Sequence, residues 1–333
     1  MWLRKLTLLL GLCVALPAAA REFPLCLYGV NNPADLKIIK EAGFSCIQSY
    51  KQDPQNMENL AKQATELGLK VVFYPNKIIG TPYEQKAQNW PVLAWYLVDE
   101  PDVHHWTRER VQAAHQAAKK AFAKQDTALV IGQGKTSVPF YDLPDVMMMD
   151  WYPVPHLQLT SFGDNVRYVK EALEENKMTD HPIWAVVQAF DWKNYKQHYP
   201  DEQRIGRFPT REEMRFMSYD AIVNGATGLF YFIFTHKGTP LPVAQPEYWQ
   251  RVQEVVLELQ KFKPILEQGR VVKNPVRLPA GLKMKTWNYE DNQYAVLLNT
   301  TDKTQYVPRK LRAYMKDKKQ MTIDPYDVWI LKK

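Results

Sequence analysis

Cysteine is scarce in this chain: three residues in 333, one of which, Cys13, lies in an apolar run near the N-terminus. That count excludes a scaffold stapled by several disulfides and a four-cysteine zinc module. The seven histidines show no HxH or HExxH spacing. The adjacent pair His104-His105 would not point at one ion, so no catalytic metal is expected. No glycine-rich turn follows the first strand-like run, which removes the phosphate-cradling signatures, and no GxSxG elbow marks an esterase. No recognisable nucleic-acid-binding module, internal repeat or low-complexity segment is present, and no cofactor is implied. Beyond the first 20 residues no apolar stretch is long enough to span a bilayer.

What is present begins with a leader. Arg4 and Lys5 precede the apolar run 6–16, and Ala18 and Ala20 hold the small-residue positions before Arg21. This reads as a signal peptide cleaved after Ala20, which implies export to the periplasm or beyond. Leu12 before Cys13 fits poorly with a lipid-modified cysteine, so a released chain is expected. Cys26 and Cys46 each sit in an apolar, strand-like run. Export permits a disulfide between them, but two buried thiols are the expected state. Charge is uneven: from Gln268 onward 14 Lys and Arg face 6 Asp and Glu. Such an excess reads as a solvated basic surface, or more sharply as one that meets an anionic polymer or membrane headgroups.

From residue 23 to 262 strand-like and helix-like runs alternate. Strands are expected at 23–30, 44–50, 70–74, 91–100, 128–132, 146–150, 183–188 and 228–234, and helices at 32–42, 56–67, 83–89, 107–123, 165–176, 210–224 and 247–262. Thr210 with Glu213 forms a capping box signature. Eight such strands are the count of a closed (β/α)₈ barrel, an α/β fold, here spanning residues 21–266. Short alternating runs then predict a small antiparallel β-sandwich over 267–333.

The chemistry gathers at PVLAWYLVDEP, residues 91–101, an apolar strand that stops on Asp99-Glu100-Pro101. The carboxyl ends of barrel strands are where ligands bind. A plain helix N-terminus, with its acids favoured by the dipole and proline at the first position, is the competing reading. A barrel whose fourth strand ends in a carboxylate and proline, followed by RFMSYDAIVNGATGLFYF at 215–232 and a β domain, resembles the large clan of barrel glycoside hydrolases. That resemblance implies a carbohydrate substrate and Glu100 as general acid/base, with Asp99 replacing the usual asparagine. It also implies a nucleophilic glutamate after strand seven, where IWAVVQAFDW carries Gln188 instead. A carboxamide cannot form a glycosyl ester.

Three routes remain. Asp150 or Asp191 supplies the second carboxylate, with Asp150 favoured. Alternatively, Asp99 and Glu100 resemble the adjacent pair of the substrate-assisted barrel hexosaminidases, in which an N-acetyl group attacks. In the third, the protein binds glycans without cleaving them. A sugar also needs flat apolar surface and hydrogen-bonding groups. Tyr28, Tyr50, Tyr74, Trp151, Tyr152, Phe190, Trp192 and His236 fall at strand ends and are expected to line the site with Gln188 and Asp191. Glu100 is expected to hold a proton near neutral pH, with Asp99 an anion.

Overall fold

The computed structural model describes residues 22–195, 206–315 and 321–333, so the expected leader, 1–20, lies outside the described residues. Eight strands form a closed barrel in sequence order. They are β1 (Leu25–Leu27), β2 (Cys46–Gln48), β3 (Lys70–Phe73), β4 (Val92–Tyr96), β5 (Asp126–Ile131), β6 (Val146–Asp150), β7 (Ile183–Gln188) and β8 (Gly228–Phe232). Every neighbouring pair is parallel, and β8 returns to β1 through Leu25↔Leu229 and Leu27↔Tyr231. That last pairing excludes an open sheet. The strands read as continuous apolar runs because both faces are buried. One alternation fills the interior with Cys26, Val72, Ala94, Val130, Met148, Trp184 and Phe230. The other alternation, including Leu27, Val71, Trp95, Leu129 and Val187, meets the helices.

The helices are α1 (Leu36–Glu41), α2 (Pro54–Leu67), α3 (Tyr83–Ala87), α4 (Arg108–Ala121), α5 (Ser161–Glu175), α6 (Arg211–Asn224), α7 (Leu241–Ala244) and α8 (Pro246–Gln268). Their ends follow local chemistry. Asp53 caps α2 ahead of Pro54 and Gly68 ends it in the left-handed region; Thr210 and Glu213 close the capping box of α6. Between β5 and β6 the described chain has only a 3₁₀ turn at Gly134–Thr136. Its tight packing needs glycine, since a Cβ on Gly134 would lie 2.2 Å from the Asn165 carbonyl oxygen.

Two expectations are corrected. β4 stops at Tyr96, so Asp99 and Glu100 lie in the loop beyond it rather than at its end. Cys26 and Cys46 form a disulfide rather than two thiols. The parallel register sets them directly opposite, with Cα atoms 4.5 Å apart and both side chains inside the barrel.

After a short hairpin, β9 (Thr235–His236) and β10 (Thr239–Pro240), the chain enters its C-terminal β region. There β11 (Arg270–Val272), β12 (Leu282–Tyr289), β13 (Asn292–Asn299) and β16 (Val328–Lys332) form an antiparallel sheet, while β14 (Gln305–Tyr306) pairs with β15 (Thr322–Ile323). One face of the sheet, with Trp287, Val296 and Val328, joins the outer barrel core; the other, with Met284, Leu297 and Trp329, packs on Val307, Leu311 and Ile323. Part of the basic excess is used in this docking. Lys283 Nζ lies 3.3 Å from the buried Asp220, and Lys285 Nζ donates to the Ile222 carbonyl at 3.0 Å. Burial raises Asp220 to about 6 and lowers Lys285 to about 8. Among the described residues no helix is long and apolar enough to cross a membrane.

Candidate active site

Residues 97–105 carry the chain from β4 toward α4 across the barrel mouth. Alternation along β4 turns Ala94 and Tyr96 inward, and the Tyr96 hydroxyl donates to Asp99 Oδ1 at 2.6 Å. Tyr96 is one of four phenols that line the β1–β4 side. Tyr28, Tyr50, Tyr74 and Tyr96 follow one another with ring centroids 6.1, 6.3 and 4.9 Å apart, and the Tyr28 and Tyr96 hydroxyls stand 3.4 Å apart. Burial raises the pKa of each, and the Asp99 carboxylate raises them further, so all four remain neutral hydroxyls.

Asp150 ends β6 with its side chain turned to the same mouth. It is 8% exposed, accepts from the Tyr152 hydroxyl at 3.1 Å through Oδ2, and its buried Oδ1 meets no N–H or O–H donor. The Glu100 carboxyl interacts with Asp150 through charge, and through a hydrogen bond when one of the two is protonated. Burial is the largest cause raising both carboxyls. The Asp99 charge adds to it for Glu100, and the Glu100 and Asp99 charges add to it for Asp150. Asp150 is held well above the ordinary carboxylate range, because it is the more deeply buried and the mutual hydrogen bond favours the proton on it. The rise expected at Glu100 is thus accompanied by one at Asp150, and the two carboxyls titrate as a pair. Asp99 is also raised by burial, while the Tyr96 hydroxyl opposes that rise.

The β6–β8 side is aromatic. Phe190 packs edge-on against Tyr152, Trp192, Tyr195 and Phe232 at centroid distances of 5.0, 4.9, 4.8 and 5.5 Å. Tyr152, Trp192, Tyr195 and Phe232 are half-buried. The two groups meet where Tyr28 packs edge-on against Phe232 at 5.7 Å, and phenols, apolar rings and three carboxyl groups together suit a ligand with both hydroxyls and C–H faces.

Other expected site residues go elsewhere. Gln188 is fully buried, with Nε2 donating to the Val154 and Phe190 carbonyls at 2.8 and 3.3 Å and Oε1 accepting from the Val154 N–H at 2.9 Å. Both its donors are engaged with backbone, so it braces the wall instead of facing a ligand. Trp151 points outward by alternation, packs against the outer core and donates to Ser161 Oγ at 2.9 Å. Asp191 caps the short turn Trp192–Asn194 by accepting from Lys193 N–H at 2.8 Å. His236 sits on the rim, where its Nδ1 and Asn194 Nδ2 lie 2.8 Å apart and its ring packs beside Phe208. Tyr96, Tyr195 and Phe232 were missed. Period-two alternation marks Tyr96 and Phe232, whereas no local signal marks Tyr195.

At the other end of the barrel a cleft of about 540 Å³ lies among His115, Asp126, Asp145, Lys177 and Asp180. Asp145 there is bound to Thr127 and Lys119, so the group serves the strand ends it joins.

No protein-family model matches the sequence, and no curated protein matches it. Solved structures do match the fold. A family 5 glycoside hydrolase from Bacteroides vulgatus aligns with a TM-score of 0.56 and 12% identity over 93% of this chain and 88% of that one. A family 30 endoxylanase from Clostridium papyrosolvens gives 0.53 and 12% over 87% and 84%. An Anoxybacillus α-amylase gives 0.55 and 11% over 93% and 97%. At these identities the likeness is one of architecture, and the chain is similar in fold to the (β/α)₈ glycoside hydrolases.

Proposed function

We propose that the protein is exported and hydrolyses O-glycosidic bonds of an oligo- or polysaccharide, with Glu100 as the proton donor. The observation that carries this reading is the Glu100–Asp150 carboxyl pair, both members raised by burial and by neighbouring carboxylate charge, at the carboxyl end of the barrel beside phenols and apolar rings. A carboxyl pair whose pKa is raised is what protonation of a leaving sugar oxygen requires. Glu100, the more exposed member, delivers the proton, and Asp150 restores it. The leader and the Cys26–Cys46 bridge support export.

The same geometry bears on the nucleophile. Carboxyl groups that act from opposite faces of a sugar ring stand roughly 5 Å or more apart, which two groups in hydrogen-bonding contact do not satisfy. Gln188 is closed on backbone. These two observations favour, as a second reading, attack by the substrate's own 2-acetamido group with Asp99 orienting it. Glycan binding without cleavage is the rival of a different class.

A glycan panel that pairs 2-acetamido with 2-hydroxyl sugars, run on wild type and Glu100→Gln, tests these readings. The proposal expects turnover to fall roughly 10²- to 10⁴-fold in the variant while binding persists. Turnover that survives removes Glu100 from the mechanism. Binding without turnover in both proteins establishes the rival, and hydrolysis confined to 2-acetamido sugars establishes substrate assistance.

A further inference from the structure

Glu100 has a backbone φ of +40°. A side chain bearing a Cβ occupies that left-handed region at a cost, and does so only where the surroundings impose it. Two sets of contacts impose it here. The Glu100 carbonyl accepts from Val103 N–H at 3.1 Å and His104 N–H at 2.9 Å, which folds the loop back on itself. Two residues beyond Glu100, the Asp102 carboxylate reaches the segment that follows β5. Its Oδ1 accepts from Gly132 N–H at 3.1 Å, and its Oδ2 accepts from Gln133 N–H at 3.0 Å and from the Thr136 hydroxyl. Gly132 is also where the Glu100 carboxyl rests, since a Cβ there would lie 3.0 Å from Glu100 Oε1 and 2.7 Å from a Val103 methyl. The segment is itself anchored, because Gly134 N–H donates to Asn165 Oδ1 at 2.8 Å on α5.

We propose that Asp102 is a positioning residue for Glu100: its three-donor anchor on the β5 loop holds the strained turn that presents the Glu100 carboxyl against Gly132 and Asp150. This rests on the reading of Glu100 as proton donor. No other described side chain of residues 99–106 bonds to the β5 loop among the hydrogen bonds of the structure. Without Asp102 the loop would keep its internal turn and the Tyr96–Asp99 bond but lose its side-chain anchor on the β5 loop, and a proton donor misplaced by about 1 Å loses roughly 100-fold in rate. Asp102 also acts at a distance. The titratable groups that face Glu100 are Asp99, Asp150, Asp102 and His104, and the Asp102 carboxylate is among those that raise Glu100.

The two effects separate by variant. Asp102→Asn removes the charge and sets an N–H₂ group against N–H donors. Thr136→Val removes one donor and leaves the charge. Carboxyl titration of Glu100 by NMR in the free protein, which needs no substrate, is expected to show a lower pKa in Asp102→Asn and an unchanged one in Thr136→Val. On a turned-over glycan, kcat is expected to fall roughly 10- to 100-fold in Asp102→Asn with KM within about twofold, and the basic limb of the pH profile to move to lower pH. Thr136→Val is expected to lower kcat less and to leave that limb in place. An unmoved Glu100 titration together with kcat within twofold of wild type in Asp102→Asn would overturn the proposal. Turnover that survives Glu100→Gln would instead remove the reading beneath it, while the titration would still report whether Asp102 acts on Glu100.

Discussion

Changing Gln188 to glutamate would put an acid at the position where barrel glycosidases of the resembled clan carry their nucleophile, and the structure predicts damage rather than gain. The site is fully buried, and the native amide gives both N–H groups to the Val154 and Phe190 carbonyls. A protonated glutamate keeps one donor and leaves one carbonyl unmet, which costs about 1–3 kcal/mol. An ionised glutamate keeps none, so burial drives its folded pKa above neutrality. Holding the proton at pH 7 from an unfolded pKa of about 4.3 adds roughly 3–4 kcal/mol at about 1.36 kcal/mol per unit. The sign follows from the raised folded pKa: the extra penalty is absent below about pH 4 and grows as pH rises. For a chain of this size about 1 kcal/mol shifts Tm by about 2 °C. Relative to wild type, the variant's melting point should drop by roughly 2–6 °C at pH 4 and roughly 8–14 °C at pH 7, read by scanning fluorimetry. Mass spectrometry after incubation with a 2-fluoro glycoside should show no adduct on residue 188. Equal melting points at pH 7, or a covalent adduct there, would refute the argument that Gln188 is a brace.

Two further outcomes follow from buried groups. Cys46→Ser opens a bridge that spans 20 residues, and loop-closure entropy puts the loss at about 3 kcal/mol, measurable as a lower denaturant midpoint with a slightly larger m-value, since the freed unfolded chain exposes more surface; an unchanged midpoint would mean that the closed strand pair does not need the bond. Asp220, raised by burial to about 6, contributes stability that is present below about pH 4 and lost as pH rises through 6, so wild type should weaken from pH 4 to 7 relative to Asp220→Asn by at most ~3 kcal/mol. Parallel pH profiles of the two proteins would show that Lys283 already neutralises the cost.

Strand count, capping boxes and the change of period near residue 269 were legible in the sequence because they depend on local propensity and on burial patterns a few residues long. The alternation that turns Asp150 and Tyr152 inward was legible for the same reason, whereas the fourth strand stops at Tyr96, short of Asp99-Glu100-Pro101. What the residue string left open depends on distance through space. Parallel register alone set Cys26 opposite Cys46, and strand alternation does not reveal which residues of adjacent strands face each other. Gln188 looked like a vacant catalytic position until the loop carrying Val154 folded over it and, together with the Phe190 carbonyl, took both its donors. Trp151 and Asp191 have residue types that suit a sugar site, but one faces the helices and the other caps a turn. The contact between Glu100 and Asp150, and the anchor that Asp102 provides for it, join residues 30 to 50 apart in the chain. Side chains at that separation meet only when the barrel closes, so the raised pKa of the pair is a property of the tertiary structure and not of any motif.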